Sequence, residues 1–496
     1  MPAPLVRALA VAVALVGGGL LFAETRHYGL VGFDTYPLIV TSRVDSPGDL
    51  TGLMAERLMD GRYPSAFYRP LVSASFALDE AVWGLDPFGY QLTGALLFAG
   101  LLLVLGALGW RLGGEGARWL AVLVPLSLLA SPTYYEVVPV PARRADLLCG
   151  LFSVGAVVLA LGGRAAGAGL ACLLAILSKE TGYVTPLLVA AAAWLFVDAS
   201  PPRERLRRVA DVAWPAFALA SLALLARWGL LGGLGGHGGT LAPVEVLQRA
   251  PGVALGLVQG ALLPGATWTP ALWVLFLASL GVAVVGFALA GGEARAAPVP
   301  RRLRRSLGLG TVWFLAFVGI YSVVGWVGAW YFLLPSIGVA VAFAALLGGL
   351  VRATLTADVR PRCRPFCAAA AVGLGTVALW QAGSAPLLRG SGEWERASQV
   401  AEEFLTELDA RIAGSVPGQA IDAPPLPMWA QPRPGAPGVE GAAILSDYSV
   451  QAWADLVHPA RRVRVLGIEG GLLPLGPEGA APDELVVRLV RRRAGY

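Results

Sequence analysis

The sequence predicts an all-α polytopic membrane protein of about 11 transmembrane helices, with a small α/β appendage on the extracytoplasmic side. Three observations carry that expectation. Hydrophobic residues make up 56% of the chain and charged residues only 14%, whereas a soluble domain carries about 25% charged residues. Apolar runs of roughly 20 residues, enough to cross about 30 Å of hydrocarbon, recur along the chain. Arginines gather in short loops, at Arg203 to Arg208, Arg301 to Arg305 and Arg352 to Arg364, which is the positive-inside pattern. The net charge of +5 therefore orients the chain in a bilayer and is no signal for nucleic acid.

The first run, Pro4 to Ala23, reads as an uncleaved helix, because Leu21 fits poorly before a signal-peptide cut after Ala23. Its N-terminus is then cytoplasmic, and a first outer loop spans 24–87. Further runs fall at 88–110, 115–131, 145–163, 165–178, 182–198, 211–231, 270–291, 307–327, 330–350 and 366–386. The run near 246–264 stands apart: if it crossed, Arg301 to Arg305 would lie outside. It is read as an interfacial or re-entrant helix on the outer side.

Two outer segments carry structure of their own. Asp49 to Arg62 sets Leu50, Leu53, Met54, Leu58 and Met59 mostly on one face, predicting an amphipathic helix on the membrane surface. The chain divides into a transmembrane domain, 1–387, and an extracytoplasmic domain, 388–496. In the latter, Trp394, Ala397, Ala401, Phe404, Leu408 and Ile412 form a helical stripe. Strand-like runs follow at Ala443–Ser446, Val463–Ile468 and Leu485–Leu489.

Cys149 and Cys172 lie in apolar runs, and Cys363 and Cys367 beside a basic loop. Without a second ligand pair or a nearby histidine, the CxxxC spacing implies neither zinc nor a disulfide framework. His237, in Gly-Gly-His-Gly-Gly, reads as loop.

Ionisable residues are expensive at membrane depth and default to functional hypotheses. Here they collect at the predicted outer ends: Asp34; Tyr68 and Arg69; Asp79 and Glu80; Glu136; Arg143, Arg144 and Asp146; Lys179 and Glu180. Each has a structural alternative. Asp146 is expected to pair with Arg143 or Arg144, Asp79 and Glu80 to be paired or solvated, and Lys179 to snorkel. Lys179 is also the chain's one lysine among many arginines, a bias that a GC-rich genome explains except at that position. Asp34, among Phe33, Tyr36 and Pro37 with no cation beside it, is harder to assign to structure, and a lone carboxylate in such a setting is a candidate general base.

At these residues the sequence resembles the GT-C superfamily of polytopic glycosyltransferases, nearest to the transmembrane and tetratricopeptide-repeat O-mannosyltransferase-like group and its bacterial relatives. The matching blocks, in order, are Phe33-Asp34 with Pro37-Leu38-Ile39; Tyr68-Arg69-Pro70-Leu71; Gly84 to Leu92; Pro132 with Glu136; Arg144-Ala145-Asp146; Ser178-Lys179-Glu180-Thr181; and Leu334-Pro335-Ser336-Ile337-Gly338. Thr35 stands where the group has a second acid, Ser131 and Gln91 stand where it has histidines, and Trp330 occupies a place where an arginine is common. The repeats are absent.

The resemblance implies a GT-C type helical bundle in the bacterial inner membrane, with the C-terminal domain outside. It implies sugar transfer with inversion from a polyprenyl-phosphate donor to an extracytoplasmic acceptor: a protein, a lipid or an envelope glycan. Asp34 would be the catalytic base and Glu136 would orient hydroxyls or assist it. Arg69, Arg144 and Lys179 would hold the donor phosphate, with Tyr68, Arg143, Asp146 and Glu180 as secondary candidates. The surface helix would shape a groove for the prenyl chain. Some relatives use a divalent metal; one acid where two are usual predicts none here. The rival classes are a transporter, which would carry charges near the bilayer centre, and a non-catalytic scaffold.

Overall fold

The computed structural model describes residues 2–63, 65–197, 201–233, 235–236, 243–262, 269–290, 301–324, 328–355, 361–384, 392–429, 442–469, 471–476 and 481–491. His237 lies outside them. Within the described residues, each of the eleven apolar runs returns as helix. Seven described stretches are long and apolar enough to cross a membrane: Ala3–Thr25, Pro87–Gly113, Pro141–Leu161, Pro202–Leu231, Arg301–Ser322, Ala329–Leu355 and Pro361–Gly383. Four shorter apolar helices stand between them: Leu120–Ala130, Ala165–Ser178, Glu180–Phe196 and Pro270–Gly286. The chain is a multi-pass helical membrane protein.

The bundle is built by neighbours in sequence. Helix α1 (Ala3–Thr25) is followed by three short helices of the first loop: α2 (Thr35–Thr41), α3 (Pro47–Ala55) and α4 (Pro70–Trp83). Then α1 packs on α5 (Pro87–Gly113) and α6 (Leu120–Ala130), while α7 (Arg144–Leu161) packs on α5 and on α8 (Ala165–Ser178). Next, α9 (Thr185–Phe196) and α8 both lean on α10 (Pro202–Leu231). After α11 (Pro243–Leu262) and α12 (Pro270–Ala290), α13 (Arg301–Val324) pairs with α14 (Leu333–Leu355), and α15 (Arg364–Ser384) closes on α12 and α14. The α13–α14 contact is close because Gly310 and Gly338 oppose each other; a Cβ on either would lie 2.5–2.6 Å from the other's carbonyl oxygen. That gives the Leu-Pro-Ser-Ile-Gly block a packing reason for its glycine.

At one end of the bundle the basic loops meet. Arg302 donates to the carbonyl of Arg111 and Arg352 to that of Gly116, each at 3.2 Å, while Arg7 and Arg118 both lie over the Trp110 ring. Helix α11 forms but is not among the stretches apolar enough to cross; it packs against α13 and α14.

The expected surface helix 49–62 is two pieces instead. Helix α3 ends at Ala55, Glu56 is extended, and a tight turn covers Leu58–Gly61. The break has a cause: the Leu58 N–H is taken by the Phe67 carbonyl at 2.8 Å, and the Tyr68 hydroxyl caps the Met54 carbonyl at 2.7 Å. Leu58 and Met59 turn into the core, leaving Leu50 and Met54 on the outside.

The C-terminal region is α/β. All six residues of the predicted stripe are buried along α16 (Glu393–Ala413). A three-stranded parallel sheet runs β1 (Ala420–Leu426), β3 (Leu485–Arg491), β2 (Val463–Leu466), with β3 central. Two of the predicted strand runs coincide with β2 and β3. Ala443–Ser446 is not a strand; Ala443 bridges Trp429, and Ser446 caps α17 (Asp447–Val457).

Candidate functional site

The end of the bundle away from the basic loops carries the charged residues singled out above, and most of them converge. Lys179 follows α8 in extended conformation, and Gly182 presses the turn onto the end of that helix, where a Cβ would meet Ala175 backbone at 2.5 Å. This aims the Lys179 ammonium into the bundle. It donates to both oxygens of Asp146, at 2.6 and 2.8 Å, and lies 4.7 Å from the centre of the Tyr331 ring. Lys179 therefore does not snorkel, and Asp146 pairs with it rather than with Arg143 or Arg144. Arg144 and Asp146 are two apart on α7, a spacing at which helical side chains do not face each other.

Next in the chain, Glu180 accepts two bonds from Arg69, from Nε at 3.0 Å and Nη2 at 2.6 Å, and Arg69 lies over the Phe67 ring. Both pairs lie within electrostatic reach of Tyr331. Arg227 of α10, buried at 3% exposure, also feels Glu180 and Arg69. Neither Tyr331 nor Arg227 was singled out by the sequence, although Tyr331 stands four residues before Pro335 of the matching block.

Arg143 ends the short turn Pro141–Arg143. It donates to the Glu136 carbonyl and stands 3.6 Å from the Glu136 carboxylate. Its guanidinium lies over the rings of Trp330, at 4.3 Å, and Trp394, at 5.2 Å. It is also within reach of the charges of Asp146 and Asp34. Burial raises the pKa of Glu136, opposed by Arg143 and reinforced by the nearby Glu393.

Asp34 starts α2 without using its side chain to cap it. Its Oδ1 instead accepts a 2.7 Å bond from the hydroxyl of Tyr448, in the first turn of α17. Burial and the charge of Asp34 push the Tyr448 phenol far above its ordinary range, so it stays a donor. The acid with no cation beside it in sequence is thus held by the C-terminal domain.

Arg144 does not join this group. Its guanidinium is 1% exposed, pairs with Asp79 at 2.6 Å and lies over Phe76 and Tyr90. The pair ties α7 to α4. Tyr68 is occupied with Met54, as described, and Glu80 with Arg43 at 3.1 Å. Among the described residues no three His, Cys, Asp or Glu side chains gather as a metal group, and Asp34 is met by a phenol donor rather than by a second acid.

No family model and no curated protein matches the chain. Among solved structures it is similar to ArnT from Cupriavidus metallidurans bound to undecaprenyl phosphate, at 15% identity and a TM-score of 0.44, covering 92% of this chain and 89% of that one. ArnT in the apo state is similar at 17% identity and a TM-score of 0.43, with 84% and 82% covered.

Proposed function

We propose that the chain is an integral membrane glycosyltransferase that moves a sugar from a polyprenyl-phosphate donor to an extracytoplasmic acceptor, with inversion at the anomeric carbon. The observation that supports this reading is the gathering of Asp34, Glu136–Arg143, Lys179–Asp146 and Arg69–Glu180 around one end of the bundle. Such a site has what the reaction asks for: a carboxylate to take a proton, and cations to receive a phosphate.

In the reaction the acceptor oxygen bonds to the anomeric carbon while the bond to the phosphate oxygen breaks. The electron pair leaves on the phosphate, and the acceptor proton passes to Asp34. With Oδ1 held by Tyr448, Oδ2 is the oxygen for that proton. Arg143, Arg69 and Lys179 would set the positive field for the leaving phosphate. Arg143 is the most direct of them, since Arg69 and Lys179 each have a closer carboxylate. Arg144, closed off with Asp79, would fix α7. Glu136 would orient hydroxyls.

On this reading the charged end faces outward and the basic loops inward, in a bacterial inner membrane, with 1–387 as the catalytic domain and 388–496 as its outer companion. The test is purified protein in nanodiscs against a panel of polyprenyl-phosphate sugars, with peptide, lipid and glycan acceptors. Transfer by the wild type, lost in Asp34→Asn, is expected; inactivity across the panel would overturn the reading.

A further inference from the structure

We infer that the C-terminal domain completes the reaction centre, with Tyr448 as a positioning residue that fixes the Asp34 carboxylate. The inference rests on the function proposed above, and four observations carry it. First, Asp34 makes no capping bond to its own helix, so its carboxylate is not committed locally to the α2 backbone. Second, the partner that does fix it is a buried phenol, at 2.7 Å.

Third, α17 is pinned to the first loop at both ends. Near its start, Ser449 donates to the Phe33 carbonyl at 2.6 Å, and the Ile444 carbonyl accepts from Gly32 N–H at 2.9 Å. Near its end, Asp455 accepts from Arg62 at 2.7 Å and from Tyr63 at 3.0 Å. A phenol on a helix held this way has its hydroxyl placed by the backbone. Fourth, the same domain lays Trp394, itself 1% exposed, against Arg143. The candidate base and the candidate phosphate cation therefore each have one wall from the C-terminal domain.

The chemistry follows from the direction of the bond. A phenol donating to Oδ1 leaves Oδ2 as the basic oxygen and holds it in one orientation, which is a contribution to kcat through geometry. Its hydroxyl is committed to Asp34, so on this inference the loss falls on kcat and leaves the donor KM where it is.

The test uses the full chain in nanodiscs. Tyr448→Phe keeps the ring and its packing and removes only the hydroxyl. Its kcat should fall about 10- to 100-fold at unchanged donor KM and unchanged thermal midpoint. A wild-type kcat would overturn the inference, as would a loss that appears only as a lower midpoint. A second measurement needs no turnover: the rate at which a water-soluble carbodiimide modifies Asp34, read by peptide mass spectrometry with Asp34→Asn as blank. Removing the hydroxyl should raise that rate several-fold, and an unchanged rate would overturn the contact. If the wild type transfers no sugar while the labelling rate rises, the glycosyl-transfer reading fails and the Tyr448–Asp34 contact stands.

Discussion

Lys179 donates to both oxygens of Asp146 with each side chain 3% exposed. Removing one partner of such a pair strands a charge in low dielectric, at a cost of about 3–5 kcal/mol. Asp146→Asn and Lys179→Met should each destabilise by that amount, and the double variant should recover much of the loss. Chemical unfolding in detergent measures the cycle, and strictly additive losses would contradict the coupling. Lys179 is the chain's one lysine, and its ammonium sits between Asp146 and the Tyr331 face.

Arg69 grips Glu180 through two parallel bonds. Lysine keeps the charge and loses the fork. Arg69→Lys should therefore cut transfer by about 10-fold or more, with the larger part in donor KM if Arg69 meets the phosphate. A wild-type KM in this variant would remove Arg69 from the phosphate site.

Glu136 gives a pH signature. Burial raises its pKa, so the folded chain keeps that proton to higher pH than the unfolded one. Its contribution to stability is then full below the unfolded value, about 4.3, and is lost as pH climbs through the raised folded value. Glu136→Gln, which cannot ionise, should gain on the wild type across that window, while the Arg143 bond to the backbone carbonyl survives. Thermal midpoints from about pH 4 to pH 7 test this, and parallel curves would refute it.

Sidedness is open to labelling, since all four native cysteines are buried. Leu50→Cys, on the exposed face of α3, should react with an impermeant maleimide from outside. Arg304→Cys should react only after permeabilisation. Outside labelling of both positions would make α11 a crossing helix.

Hydropathy is a local property, so the eleven apolar runs, the buried stripe of α16 and the grouping of charges at one end were legible before any coordinates. Partner choice was not. Asp146 takes Lys179, 33 positions away, because the helical turn sends its side chain away from Arg144. The lone Asp34 proved to be lone only in sequence; Tyr448 arrives from 414 positions downstream, and no local pattern announces it. Trp330, which stands where the resembled group carries an arginine, has a guanidinium after all, brought by Arg143 over its ring. Strand β1 escaped notice because Pro424 and Pro425 lie within it. Prolines are tolerated at an edge strand or bulge, and the register slips between Asp422 and Pro425.

The distance between Asp34 and Tyr448 also sets an order of events in the cell. Asp34 leaves the ribosome first, and the hydroxyl that holds it follows 414 residues later, a lag of roughly 20–80 s at ordinary elongation rates. Among the described residues, the seven long and four shorter apolar helices lie between the two in the chain or before them. A half-inserted chain would thus carry the candidate base without its anchor, and the site would close only once the segment bearing Tyr448 has been made and docked.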